Sequence, residues 1–322
     1  MKLKTNLLKT ALVAALVPAA LFAAEGSFER TLKVTGPVEL AVTTGTGTIE
    51  VHAGSGGTVR VRAKIKTSSG WFAGDAEGKV HALESNPPIS QVGNYIRIGK
   101  IEDRELARNV SISYVIETPV ETELKSNTGS GDQVVSGIQG PATVTTGSGS
   151  LKVTDIKNTA RAHSGSGTIE LAAIQGHVVA DTGSGTIRGE DLGGGVEGGT
   201  GSGDIHLRLS GAGPVRLHAG SGDVDVQGVN GSLTVHSGSG DIKAAGQAAG
   251  DWAVHTGSGS VTVRLPSAAS FDVSCRTSSG HITSEHSVTV QGTIGRGQMR
   301  GKVGKGGVLV DLQTGSGNIR IE

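Results

Sequence analysis

Cysteine is nearly missing from this chain: Cys275 is the only one in 322 residues. No disulfide can form within the chain, so its stability must come from another source. Aromatic residues are almost as scarce, at 2%. A conventional globule of this size relies on rings for much of its buried area. Here Val, Ile, Leu, Ala and Thr must fill the core, which implies a thin interior where large rings do not fit. Charge of either sign is not in excess, because 29 basic residues offset 29 acidic ones. Global charge therefore predicts neither nucleic-acid nor membrane affinity. Long apolar runs are also lacking. The longest, Ala11 to Phe22, is shorter than the roughly 20 residues of a membrane-spanning helix.

That run sits in a targeting pattern. Lys2, Lys4 and Lys9 precede it, Pro18 interrupts it, and the small residues Ala23 and Ala24 lead to acidic Glu25. The expectation is a secretory signal peptide over residues 1–24, followed by a periplasmic, cell-surface or extracellular protein with no transmembrane segment. With no cysteine after the apolar stretch, lipid attachment at a new N-terminal Cys is not expected. Cys275 lies in the strand-like run Ser270-Phe-Asp-Val-Ser-Cys-Arg-Thr and reads as a small buried residue.

What is abundant is glycine, 53 residues, and it is placed periodically. The motif [Thr/Ser/Ala]-Gly-Ser-Gly-x-[Ile/Leu/Val] starts at Gly147, Gly165, Gly183, Gly201, Gly220, Gly238 and Gly257, at spacings of 18, 18, 18, 19, 18 and 19. Gly129 begins the same series, with Gln133 in place of the apolar residue. A variant stands at Ser278-Ser279-Gly280-His281-Ile282, a clean copy at Gly315-Ser316-Gly317-Asn318-Ile319, and an early copy at Gly45-Thr46-Gly47-Thr48-Ile49. Apolar residues alternate with polar ones on both sides of each corner. Val215 and Leu217 precede one corner, for example, and Val224 and Val226 follow it. Period two means strands with one buried face. Two glycines per corner interrupt every helical run.

The expected fold is all-β: a β-solenoid of the parallel β-helix or β-roll kind, with coils of about eighteen residues. Successive strands would pair in parallel at about 4.8 Å, giving a body about 50 Å long. The corners Gly147-Ser148-Gly149, Gly165-Ser166-Gly167, Gly183-Ser184-Gly185 and Gly201-Ser202-Gly203 are structural in this reading. Glycine reverses the chain through positive φ, and the serines form a stacked column. Residues 25–126 form an N-terminal β region and cap with the first coil, and residues 127–322 form the solenoid. Strand-like runs in the cap are Thr58–Lys66, Tyr95–Gly99 and Val110–Glu117, and the cap holds most of the large rings, Trp71, Phe72, Tyr95 and Tyr114. The repeat degenerates around Gly292–Gly307 before the final copy closes the chain.

Several motifs carry a resemblance. Val115-Ile-Glu-Thr-Pro-Val-Glu-Thr-Glu-Leu leads into Asn127-Thr-Gly-Ser-Gly-Asp and iterated Thr-Gly-Ser-Gly-Asp/Thr-Ile. The ending is Ile294-Gly-Arg-Gly, then Gly306-Gly-Val-Leu-Val-Asp-Leu-Gln-Thr-Gly-Ser-Gly-Asn-Ile. Over most of residues 30–322 the chain resembles the bacterial putative-adhesin family, a domain of unknown function with β-strand repeats. The resemblance implies a cell-envelope or surface role and brings no catalytic residues.

Two outward columns are the candidate binding residues. His218, His236 and His255 stand two positions before the first glycine on consecutive coils, in a column that also holds His163, Asp181 and Gly199. Asp204, Asp223 and Asp241 follow the second glycine, in a column with Thr168, Thr186 and Ser260. Imidazole and carboxylate are legitimate metal ligands. Against that, an Asp after a glycine turn has reason enough to be there in hydrogen bonds to backbone. Calcium-binding nonapeptides need turns every nine residues, and the period here is twice that. An ice-binding threonine array is interrupted by Arg, His, Asp and Glu. The phosphate-loop pattern fails at Gly301-Lys302, where Arg296 and Val303 take required positions. Arg296, Arg300, Lys302 and Lys305 make a modest basic cluster that suits a solvated end face or an anionic glycan.

No cofactor is implied. The leading expectation is a non-enzymatic structural or adhesin-like module of the cell envelope, with a glycan or envelope protein as partner. The rival is a polysaccharide lyase or hydrolase on a β-helix scaffold. It needs a cleft with non-repeating acids, and the loops of residues 126–283 stay within the eighteen-residue period.

Overall fold

Alternation along each strand becomes alternation of burial. In Val215–Ser221, Val215, Leu217 and Ala219 are buried while Arg216 and His218 are exposed, and Val224 and Val226 continue the buried row after the corner. The computed structural model describes residues 24–54, 56–68, 75–290, 295 and 297–322. The expected leader (through residue 23), Trp71, Phe72, Ile294 and Arg296 lie outside the described residues. Strands that precede the corners join a 15-stranded sheet, and strands that follow them join a 14-stranded sheet. One aliphatic core of Val, Ile, Leu and Ala side chains lies between them. This is the β-solenoid expected from the repeat.

Coils stack in parallel with like residues opposite one another, as in Val215↔Leu233↔Trp252 and Ile169↔Ile187↔Ile205. In stack order the corner strands are Val38–Thr46, Thr122–Ser130, Ala142–Ser148, Ala160–Ser166, Val178–Ser184, Val196–Ser202, Val215–Ser221, Leu233–Ser239, Trp252–Ser258, Leu309–Ser316 and Phe271–Ser279. At ~4.8 Å per coil these eleven span about 50 Å.

That order departs from the sequence at both ends. The early coil of Val38–Thr46 and Ile49–Gly54 stacks directly on the coil of Thr122–Ser130 and Gln133–Ser136. The segment between them folds back as the cap. On one sheet Val110–Pro119, Thr58–Thr67 and Glu25–Lys33 extend the ladder, and on the other Tyr95–Ile98 and Ile89–Val92 do. The cap also holds a helix, Ala76–Ser85, that the strand reading did not anticipate. Asp75 caps it by accepting from the Gly78 N–H, and Val80 and Leu83 are its buried side chains. Only two apolar positions three apart mark it in the sequence.

At the other end the final copy is inserted rather than appended. Leu309–Ser316 pairs in parallel with both Trp252–Ser258 and Phe271–Ser279, and Ile319–Ile321 lies between Val261–Arg264 and Ile282–Ser284. The chain first builds the outermost coil. It then covers that coil's edge with Gln298–Val303, antiparallel, to which Val288–Val290 adds a further antiparallel strand, and returns to fill the gap. Repetition makes each copy able to pair with any other, so stacking order need not follow chain order.

The expectation that large rings do not fit the interior is corrected by Trp252 and Phe271, both fully buried within the stack. The Trp252 indole N–H donates to the Gly231 carbonyl at 3.0 Å, so the ring enters without an unmet donor. Cys275 is buried as expected, and burial pushes its thiol up to about 12.

Candidate functional site

The corners set the spacing of everything outside. Each second-glycine N–H donates to the serine carbonyl of the next coil, as Gly203 does to Ser221 at 2.9 Å, and the ladder passes through the inserted coil from Gly259 to Ser316 and from Gly317 to Ser279. Ser148, Ser166, Ser184, Ser202, Ser221, Ser239 and Ser258 thus act through their carbonyls, while their side chains stand exposed. The two glycines of a corner are required for different reasons. At Gly203 φ is +145°, which strains any residue with a Cβ. At Gly201 φ is ordinary, but a Cβ would come within 2.6 Å of the Gly183 carbonyl oxygen. Close approach of coil on coil, as well as chain reversal, excludes side chains there.

Just inside the corner runs a buried hydroxyl column. Thr146, Ser164, Thr200, Thr256 and Thr314 donate to the carbonyls of Gly131, Gly149, Gly185, Gly240 and Gly259 at 2.8–3.1 Å. These bonds satisfy carbonyls that the tight corner would otherwise leave unmet. The first position of the repeat, Thr/Ser/Ala, was the sequence signal for this role. Gln133, out of place in an apolar column, is buried and accepts from Ser126 while donating to the Thr145 carbonyl at 2.5 Å.

Asp204, Asp223 and Asp241 engage backbone N–H groups of the neighbouring coil. Asp204 accepts from the Asp223 N–H at 2.9 Å, Asp223 from Asp241 at 2.8 Å, and Asp241 from Ser260 at 2.8 Å. Each carboxylate ties its coil to the next through backbone. Thr168, Thr186 and Ser260 occupy the same column on other coils.

His218, His236 and His255 stand in register on the outer face of the 15-stranded sheet. The His236 and His255 rings meet edge to face with centroids 5.2 Å apart. Gly199 separates this file from Asp181 and His163. On the far side, the inserted coil brings Asp311 and Gln313 alongside, from 56 residues away in sequence in the case of Asp311: its Oδ2 lies 2.9 Å from His255 Nε2 and accepts from Gln313 at 2.8 Å. The repeat puts Gln313 at the histidines' position, two before Gly315, but no sequence pattern makes its coil the neighbour of His255. Burial and the like neighbours His255 and His218 hold His236 below its ordinary value. Burial raises Asp311, but hydrogen bonds from His255, Gln313 and Ser274 outweigh it and keep the carboxyl below its usual range. Asp181 is pushed up by burial, with His163 opposing and Glu197 adding to the rise.

Next to Asp311 lies an open groove of about 650 Å³, lined by Asp272, Arg276, Arg300, Lys302, Asp311 and Gln313 among others. Three of these are cationic and two acidic. The aspartate column and the histidine file do not converge: among the described residues no three His, Cys, Asp or Glu side chains are placed to hold a metal ion. Also among them, no helix is long and apolar enough to cross a membrane.

Comparison with known proteins bears on the fold. Residues 196–322 match the family model described as Toastrack DUF4097. Two solved structures are similar over most of their length. One is a putative cell adhesion protein from Clostridium sporogenes, 12% identical over 92% of this chain and 99% of its own, with a TM-score of 0.20. The other is a putative adhesin from Bacteroides fragilis, 11% identical over 92% of this chain and 97% of its own, with a TM-score of 0.28. No curated protein matches the chain. Over residues 196–322 the chain is thus similar to the Toastrack DUF4097 model, in line with the resemblance read from the motifs.

Proposed function

We propose that this chain is an exported, non-enzymatic binding and structural module of the cell envelope, with an outer face of the solenoid as its platform. The observation that carries this reading is the registered stack itself: eleven coils present their outward side chains in straight rows at one constant pitch. Such rows suit an extended partner, a glycan chain or the strand of an envelope protein, which meets one side chain of each row at every step. The disposition of the acids supports binding over hydrolysis. The corner aspartates are spent on backbone N–H groups, and Asp311 is held by His255 and Gln313. A glycosidase needs one carboxyl free to protonate a leaving group and another free to act as base or nucleophile.

A glycan array probed with the purified exported protein, with calcium and again with a chelator, tests the reading. The expected result is saturable binding to extended polymers with no release of reducing ends. Release of reducing ends, or of unsaturated products, would move the assignment to the carbohydrate-active enzyme. Export is tested separately, by fusing residues 1–24 to a phosphatase that is active only outside the cytoplasm.

A further inference from the structure

The outer face of the 15-stranded sheet is chemically uneven along its length. Toward the cap, the column that holds the histidines reads Thr43, Asn127, Thr145, His163, Asp181 and Gly199. Beyond Gly199 it becomes a run of nitrogen-bearing side chains on five successive coils: His218, His236, His255, Gln313 and Arg276. Arg300 stands opposite Ser274 and Lys302 opposite Asp272, beside the end of this run. One such group per coil makes a straight strip about 20 Å long, at ~4.8 Å per step.

The charges around the file are accounted for on every neighbouring strand. Arg216, on the strand of His218, is 3.5 Å from Glu197 on the preceding coil. Asp181 lies beyond Gly199 and is accompanied by His163. The strands of His236 and His255 add only Thr234 and Ala253 to that face, and Asp251, just before the second of them, accepts from the Leu309 N–H at 2.8 Å. The inserted coil adds Asp311, already bonded to His255 and Gln313, and the outermost coil and its cover add Asp272, Arg276, Arg300 and Lys302. With neutral histidines the groove end has a small positive excess. Protonating the file extends that excess over three more coils without altering a contact of the core.

We infer that this strip binds a linear anionic polysaccharide of the polyuronate class, and that it does so more tightly as the medium becomes acid. An extended polyuronate offers one carboxylate per sugar on a straight chain, which a single file of evenly stepped donors can follow. A single-stranded nucleic acid is a poorer fit, because its binding faces use aromatic platforms on which bases stack, and the five strands of this strip turn no Phe, Tyr or Trp outward. The inference rests on the platform reading and deepens it by naming the ligand class and its control by pH.

The test is titration of the full exported protein with alginate, and with neutral dextran as control, at pH 5.5 and pH 7.5. The expected result is alginate affinity about tenfold higher at pH 5.5, the scale of a few exposed charge contacts. The triple variant H218Q/H236Q/H255Q loses that gain between pH 7.5 and pH 5.5, whereas R276Q/R300Q/K302Q weakens binding at both. Thermal melts establish that each variant is folded. An unchanged pH response in the histidine variant overturns the inference. So does binding of dextran equal to that of alginate, which leaves the platform reading standing. A pH response toward anionic vesicles or single-stranded DNA without one toward alginate overturns the choice of ligand. Binding to no polymer here or on the glycan array sinks the inference and the glycan platform together.

Discussion

Single positions of a coil reveal where regularity is costly. At the corner opposite the Gly-Ser-Gly turn, Gly137 and Gly228 have φ of 77° and 76°, while Asp155, Ala173 and Asp191 adopt 52°, 54° and 54° at the equivalent place. An L residue with a Cβ loses about 1–2 kcal/mol there. Asp tolerates this region better than Ala, whose side chain offers no local hydrogen bond. Ala173→Gly should therefore stabilise the protein by about 0.5–1 kcal/mol, after the greater chain entropy of glycine is set against the relieved strain. Urea unfolding measures it, and a loss of stability would show that Ala173 is not strained. His236 gives the second residue-scale expectation. Its native pKa lies below the ordinary 6.5, so the unfolded chain takes up a proton first as pH falls. Stability from this site is complete above about pH 6.5 and declines below it until the native imidazole also protonates. In a series of melts from pH 8 to pH 5, His236→Gln should flatten that decline. The loss tied to Asp311 falls in a separate, more acid window, because its carboxyl is held below the usual range.

Among the elements, the inserted coil is the least exchangeable. Leu309–Ser316 and Ile319–Ile321 pair on both edges, and they bury Val310, Leu312, Ile319 and Ile321. Removing residues 309–322 opens the ladder between Trp252–Ser258 and Phe271–Ser279 and exposes unpaired edges. The expected outcome is aggregation, or a core whose protection from hydrogen exchange is lost from Trp252 onward. A truncated chain that stays monomeric with native protection there would show that the outer coil can close the gap by itself. Each copy was legible as strand, corner, strand, because alternation and paired glycines are local facts. Its neighbours were not, since Leu309 could stack after Ser279 or before it with the same pairing chemistry. The helix Ala76–Ser85 was missed for the opposite reason: its local pattern is weak, and packing of Val80 and Leu83 against the cap stabilises it.

For the molecule as a whole, repetition makes stability close to a sum over coils and their interfaces. Deleting residues 168–185, one full period from Thr168 through Gly185, joins Gly167 to Thr186 and should leave a shorter, folded solenoid. Small-angle scattering should report a body about 5 Å shorter, with an unchanged β-rich circular dichroism spectrum. Collapse of the fold would show that coils are not interchangeable. The same regularity explains how far the candidate site could be read. The histidine and aspartate columns were visible at spacings of 18 and 19, and the structure places each in register. The backbone role of the aspartates was legible from their place after a glycine turn, whereas the contact of His255 with Asp311 emerged only in three dimensions.

Composition, period and alternation by themselves determined an all-β solenoid with a thin aliphatic core, because those properties act within one coil. Tertiary structure alone decided which coils are neighbours, and so placed Asp311, Gln313, Arg276 and the groove next to His255. The physical reason is that backbone ladders between identical corners carry no address. The order of stacking goes with how the strands between copies, Thr58–Thr67 and Val110–Pro119 at one end and Val288–Val290 and Gln298–Val303 at the other, close over the two ends.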